Sequence, residues 1–293
     1  MTTTRASAPV VVGVDGSHAA RLALAHGLWE AGRAGVGLVA VHAWQPHIWV
    51  EGMVGPGLMA QTTVVDDRKQ AERLVLEELT NAVSDLRDPN GTRTKAETHE
   101  GDPGRVLVGT ASAARLLVVG RSGHRGLAGA MLGSTVRYVL HHAQVPVMVL
   151  PDPARAPGPA RRVIVGYDGE PSAAALRWAV AHARRESSEL VVLHAWSTPH
   201  PPMPSLSALT TLGVGLQQWL AEATVQPLSG AEELRPRVEA VNGSPTAVLL
   251  GEAGREDLIV VGARGRGGFH RLQLGSVALQ LAEHAPCPVV VVR

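Results

Sequence analysis

Two stretches of this chain carry the same set of small and polar residues at the same spacing. Gly120-Arg121-Ser122-Gly123 is followed after nine residues by Gly133-Ser134, and Gly262-Ala263-Arg264-Gly265 is followed after nine residues by Gly275-Ser276. Glycine lets a backbone come close to a ligand, and a glycine-rich turn feeding a helix offers unpaired N–H groups to an anion. The chemistry this suits is phosphate binding. Gly133-Ser134 and Gly275-Ser276 would open the next helices, whose positive dipole ends favour an anion by about 0.3–1 kcal/mol. The serine hydroxyls would be further donors. Arg121 and His124 in the first loop, and Arg264 and Arg266 in the second, could add positive charge, although exposed arginines commonly just face water.

Asp15 and Asp168 form a second pair. Each ends an apolar run, in Val11-Val12-Gly13-Val14-Asp15-Gly16 and in Ile164-Val165-Gly166-Tyr167-Asp168-Gly169. A carboxylate there can accept hydrogen bonds from a sugar hydroxyl or a base amine, and Asp-Gly is also a common turn pair. Its recurrence at the same repeat position favours the ligand role.

Three glycines at fixed spacing arise by chance about 0.4 times in a chain with 32 glycines among 293 residues, so a lone match would carry little. Placement carries more. Each glycine loop follows the apolar run Leu116–Val119 or Leu258–Val261, which reads as a buried parallel strand. The duplication extends further: Val41-His42-Ala43-Trp44 returns as Leu193-His194-Ala195-Trp196, and Gly101-Asp102-Pro103 as Gly243-Ser244-Pro245. Gln144–Val149 returns as Pro286–Val291.

Apolar strands alternate with helical patterns as in βαβ units, which predicts an α/β fold with two tandem open parallel sheets covered by helices on both faces. In the first half, strands are expected near 9–15, 36–43, 94–99, 116–120 and 146–150. Val75, Leu79, Ala82, Val83 and Leu86 form the core-facing stripe of one helix, and Leu212, Leu216, Trp219 and Leu220 that of its counterpart. Asp102 and Ser244, each before a proline, read as N-caps. The expected organisation is a first domain over 1–150, a Pro- and Ala-rich linker over 151–160 and a second domain over 161–293. Segments 47–57 and 197–204, at the carboxyl ends of the second strands, read as flaps over a site or as ordinary surface loops.

Composition narrows the function classes. Charged residues are 18% and the formal net charge is +1, which favours neither disorder nor a nucleic-acid partner. The N-terminal residues lack an apolar signal core, and no apolar run approaches a membrane span; a cytoplasmic protein is expected. The single cysteine, Cys287, reads as a buried inert thiol. His141-His142 does not make a chelate, because adjacent helical side chains diverge by about 100°. No metal site is expected. His42 and His194 read as packing residues, while Trp44 and Trp196 could stack on a base or cap the sheet.

These residues together resemble the universal stress proteins, in particular the tandem-domain, ATP-binding type of actinobacteria. The resemblance spans both halves, and its motif, G-x-x-G, nine residues, G-[ST], is matched twice. It implies a five-stranded parallel sheet in each domain, ATP in each, with or without magnesium, and a homodimer. It also implies that Asp15 and Asp168 meet the adenosine part and that Val41 and Leu193 lie by the adenine. Gly120, Gly123, Gly133 and Ser134, with Gly262, Gly265, Gly275 and Ser276, would hold the phosphates. Gly13 and Gly166 would let the nucleotide lie close to the first strand.

An ATP-consuming ligase or pyrophosphatase would need a Ser- and Gly-rich pyrophosphate grip after the first strand. Here that stretch is Asp15-Gly16-Ser17 or Asp168-Gly169-Glu170, and Glu170 would repel phosphate. With no lysine of the P-loop kind and no evident general base, no catalytic residue is assigned and at most slow ATP hydrolysis is expected. The expected function is a nucleotide-gated regulator of the stress or growth response acting on a protein partner. The alternatives are a scaffold with structural nucleotide sites or a slow ATP hydrolase.

Overall fold

The computed structural model describes residues 7–46, 56–86, 91–123, 132–197, 206–265 and 274–293, with the side chains of 56–66, 86, 206–208 and 227 set aside. His124, Arg266 and nearly all of segments 47–57 and 197–204 lie outside the described residues. The chain forms two compact units, Met1–Asp152 and Pro153–Arg293.

In the first unit the order is β1 (Val10–Gly13), α1 (His18–Ala34), β2 (Leu38–Trp44), α2 (Pro56–Leu86) and β3 (Thr94–Glu100), then α3 (Pro103–Thr110), β4 (Leu116–Gly120), α4 (Ser134–His142) and β5 (Val147–Leu150). The second unit repeats it: β6 (Arg162–Gly166), α5 (Ala173–Glu186), β7 (Glu189–Trp196), α6 (Leu206–Leu228) and β8 (Arg237–Asn242), then α7 (Pro245–Glu252), β9 (Leu258–Gly262), α8 (Ser276–His284) and β10 (Val289–Val292).

Within each unit the strands pair in parallel, in the order β3-β2-β1-β4-β5 and β8-β7-β6-β9-β10. The first strand and its second-to-last partner are near-continuous runs of Val, Leu and Ile, and their residues are buried because helices cover both faces. In the first unit α1 packs on α2 and α3 on α4; in the second, α5 packs on α6 and α7 on α8. The five predicted strands of the first half fall where expected.

Helix ends follow their chemistry. Asp102 accepts from Arg105 N at 3.0 Å and Ser244 from Ala247 N at 3.4 Å, each ahead of a proline in the first turn, as anticipated. On α2, Val75 and Leu79 are buried while Ala82 and Val83 are partly covered. The α6 stripe falls where expected at Leu220, which is buried, and at Trp219, which packs on Tyr167 and His194, but not at Leu212. Leu212 is 44% exposed, and the residues facing the sheet are Gly213, Gln217, Leu220 and Thr224. Hydrophobicity alone misses Gln217, which is half-buried for a polar reason: its side chain donates to Val238 O and accepts from Ala240 N, at 2.8 and 2.7 Å, on β8. The turn between units packs onto the second one, where Ser188 Oγ donates to Ala160 O at 2.6 Å and Arg161 N to Glu256 O at 2.8 Å.

Candidate functional site

Strand order reverses between β1 and β4 in the first unit and between β6 and β9 in the second. Open α/β sheets bind ligands beyond the carboxyl ends of strands at such a point. Both Asp residues and both glycine loops sit there.

The first strand leaves its ladder after Gly13 and after Gly166, whose partners are Val41 and Leu193. The next residue is still tied to the second strand, with Val14 N donating to Val41 O and Tyr167 N to Leu193 O, each at 2.9 Å. Its carbonyl is tied as well: His42 Nδ1 donates to Val14 O at 2.7 Å and His194 Nδ1 to Tyr167 O at 2.9 Å. These histidines were expected only to pack; their recurrence in the repeat was the sequence signal for the hydrogen bond. Val41 and Leu193 are buried, so what they offer the crevice's first strand is backbone.

Asp15 and Asp168 come next, each followed by a glycine with positive φ, Gly16 at 82° and Gly169 at 75°. Here the turn reading and the ligand reading meet, because the Asp-Gly turn aims the carboxylate across the crevice. The opposite wall is the glycine loop. A Cβ at Gly123 would overlap Asp15 Oδ2, and one at Gly265 would stand 3.0 Å from Asp168 Oδ2. Neither Gly123 nor Gly265 takes a positive φ; what each provides is room for the close approach of the carboxylate.

Gly120 and Gly262 serve packing. A Cβ at Gly120 would lie 2.8 Å from Ala19 backbone atoms in α1, and one at Gly262 would lie 3.3 Å from Pro171 O. Gly13 and Gly166 also make room for packing: the space beside them is filled by Leu107 of α3 and Leu249 of α7, within 2.9 and 3.0 Å of an added Cβ.

Gly133 and Gly275 are N-caps of α4 and α8 and lack a side-chain capping bond. Gly133 N donates to Arg121 O at 3.0 Å and Gly275 N to Ala263 O at 2.7 Å, which folds each loop back on its start. Ser134 and Ser276 are exposed in the first turn. The first turns of α1, α3 and α7 are capped by the side chains of Ser17, Asp102 and Ser244, whereas among the described residues α4, α5 and α8 have no side-chain cap. Arg121 is half-buried, and burial pulls its guanidinium below its usual range against the opposing pull of Asp152. Arg264 is exposed; burial, reinforced by Arg264, lowers Arg293 in the same sense.

The unit walls differ in two respects that the residue spacing does not reveal. Asp15 Oδ1 accepts from Ser17 N at 3.0 Å, and Ser17 caps α1 through Ala20 N. In the second unit a 3-10 turn, Glu170–Ser172, intervenes, and Ser172 Oγ instead accepts from Asp168 N at 3.1 Å. Trp219 of α6 also stacks on Tyr167 and meets His194 edge-on, with ring centroids 6.4 and 4.9 Å away.

The remaining candidates stand apart from the crevice. His142 stacks on Tyr138 at 4.0 Å and donates to its carbonyl, and among the described residues no group of three metal-ligating side chains occurs. Cys287 is buried and its thiol is pushed up to about 12, chiefly by burial. Trp44 and Trp196 end the second strands, where their carbonyls accept from Gly101 N and Gly243 N. Among the described residues no helix is long and apolar enough to cross a membrane.

The universal stress protein family model matches residues 7–151 and again 159–293. The chain belongs to the universal stress protein family. Among its relatives is a universal stress protein of Mycolicibacterium smegmatis, 32% identical over 97% of this chain and 96% of that one. Another, from Mycobacterium tuberculosis, is 31% identical over 100% of this chain and 99% of its own length. The solved structure of a universal stress protein from Archaeoglobus fulgidus aligns with a TM-score of 0.67 at 20% identity, covering 98% of each chain, and shares the fold. The tandem universal stress protein architecture is thus common to this chain and to full-length mycobacterial relatives.

Proposed function

We propose that this universal stress protein binds an adenine nucleotide, ATP with or without magnesium, in each unit, and that occupancy gates a surface acting on a protein partner in the stress or growth response. The observation that carries the reading is the doubled juxtaposition of carboxylate, glycine loop and uncapped helix: Asp15, Gly123 and α4 in one unit, Asp168, Gly265 and α8 in the other. The donor set fits the ligand. A carboxylate suits ribose hydroxyls, Val41 and Leu193 place apolar residues and backbone nearby, and the loop with Ser134 or Ser276 supplies donors for phosphate. Arg121 and Arg264 extend from the same loops.

A ligand bound only to the folded state stabilises it by about 2.7 kcal/mol at a hundredfold excess over Kd, enough to hold a protein in one conformation. The protein acts in the cytoplasm as a homodimer in this reading. A scaffold whose nucleotide only stabilises the fold is the second reading; it uses the same sites but no gated surface. Slow ATP hydrolysis is the third, with no residue placed as general base.

The deciding experiment is the nucleotide content of the purified, acid-denatured protein, read by chromatography with mass detection, together with its thermal shift on adding ATP. About two adenine nucleotides per chain is the expected result. None, with no thermal shift, removes the gating reading. Asp15→Ala with Asp168→Ala is expected to lower ATP affinity at least about tenfold in a chain that still folds; unchanged affinity would take both carboxylates out of the site.

A further inference from the structure

We infer that His42 and His194 are positioning residues of the two nucleotide sites: each holds the peptide before the site carboxylate and so sets where Asp15 or Asp168 points. The inference rests on the nucleotide reading above and adds to it residues that carry no direct ligand contact.

The geometry is the same in both units. After Gly13 and Gly166 the first strand parts from the sheet, while the second strand continues to Trp44 and Trp196. The residue in between is gripped twice from the second strand. Its N–H goes to the carbonyl of Val41 or Leu193, and its carbonyl goes to the side chain of the very next residue, His42 or His194. A carbonyl only accepts, so Nδ1 must carry the proton in this bond. The second grip fixes the plane of the peptide joining Val14 to Asp15, or Tyr167 to Asp168. That peptide lies one bond from the Cα whose carboxylate reaches Gly123 or Gly265.

The surroundings keep the rings from swinging away. His194 is buried and meets the edge of Trp219 at 4.9 Å. His42 is half-buried, at a position where β2 is paired with β3 through Thr98. A packing role alone asks for an apolar residue of similar size. A positioning role asks for a donor attached directly to Cγ, and asparagine supplies one at that place, whereas glutamine carries its amide one carbon further out.

The test is ATP titration of the full chain by calorimetry, with the thermal midpoint of each nucleotide-free variant measured alongside. His42→Leu and His194→Leu are each expected to weaken one of the two sites about fivefold to tenfold, and His42→Asn and His194→Asn to stay within about threefold of wild type. Should a leucine variant fail to fold, His42→Gln and His194→Gln replace it, with the same loss expected. Leucine or glutamine variants that fold and bind ATP as wild type does would overturn the inference while leaving the nucleotide reading intact. So would asparagine variants that lose as much affinity as leucine. A wild-type chain that takes up no ATP under the same conditions would instead sink the nucleotide reading itself.

Discussion

The two units agree at the crevice and disagree beneath it. At the carboxyl ends of the strands, Asp15 faces Gly123 as Asp168 faces Gly265, His42 holds Val14 as His194 holds Tyr167, and α4 and α8 both start uncapped. At the opposite end the ion pairs differ: in the first unit Glu97 pairs with Lys95 and His99 along β3, while in the second the pairs link several elements. Arg162 reaches Asp257 and Glu252 at 2.7 Å, and Arg237 joins through Glu252 and Glu239. The corresponding strand starts of the first unit are Pro9-Val10 and Arg115-Leu116, so the positions of Arg162 and Asp257 carry a proline and an arginine there. The difference teaches which features the duplication keeps and which merely hold a sheet together: the fold accepts different ion pairs at that end, but the crevice geometry is built twice by the same means.

The largest test of that contrast is Arg162→Met. Asp257 has a side chain only 3% exposed, and removing its ion-pair partner leaves that buried carboxylate with Gly254 N as its backbone donor, a loss of about 3 kcal/mol expected in urea unfolding of the second unit. The pH dependence should then change. Burial by itself raises the Asp257 pKa, yet the Arg162 hydrogen bond and charge, with Gly254 N, outweigh it and hold the group below its ordinary value. A carboxylate depressed in the folded state stabilises above its unfolded pKa of about 3.9 and loses that contribution as pH falls through the folded value. Wild type is therefore expected to lose stability below about pH 4, and the gap to Arg162→Met to narrow there. A gap that stays constant into acid would mean the pair contributes nothing through charge.

Glycines give the next test. Gly120→Ala places a methyl 2.8 Å from the Ala19 backbone, and backbone cannot move aside cheaply, so a loss of about 2–3 kcal/mol is expected. Gly262→Ala meets backbone oxygens at 3.1 and 3.3 Å, a milder overlap, and should cost less, about 1 kcal/mol. Equal losses in thermal melts would show that the two loops are packed alike after all.

Much of this was legible in the residues. Strands that are apolar throughout, not alternating, announce burial on both faces, and Asp102-Pro103 and Ser244-Pro245 announce helix starts whose capping bonds are present. The pairing of Asp15 and Asp168 with the glycine loops needed the fold, because the partners lie more than 90 residues apart in the chain. Three matters were not legible. Gln217 sits in a helix stripe because β8 lends it two backbone partners, and no propensity encodes that. Gly13 and Gly120 look like ligand glycines, yet Leu107 and Ala19 from distant helices occupy the space. His42 and His194 were visible as a repeat but not as donors, since the acceptor exists only where the first strand parts from the sheet.

The smallest effect concerns how the first helix of each unit ends. α1 stops at Gly35 with φ 64°, while α5 stops at Ser187 with φ 57°, so the same left-handed cap is made once by glycine and once by a residue with a Cβ. The left-handed conformation costs a non-glycine residue about 1–2 kcal/mol, and glycine returns part of that through the greater freedom of its unfolded chain. Ser187→Gly is therefore expected to stabilise the second unit by about 0.5–1 kcal/mol, and Gly35→Ser to destabilise the first by a similar amount, both read from urea midpoints at unchanged slope. The two changes should leave ATP affinity alone, because both caps lie at the end of the helix away from the Asp-Gly turn. If Ser187→Gly instead lowered stability, the serine would have to contribute more through its contacts than its backbone loses, and the second unit would be trading a strained cap for packing that the first unit does without.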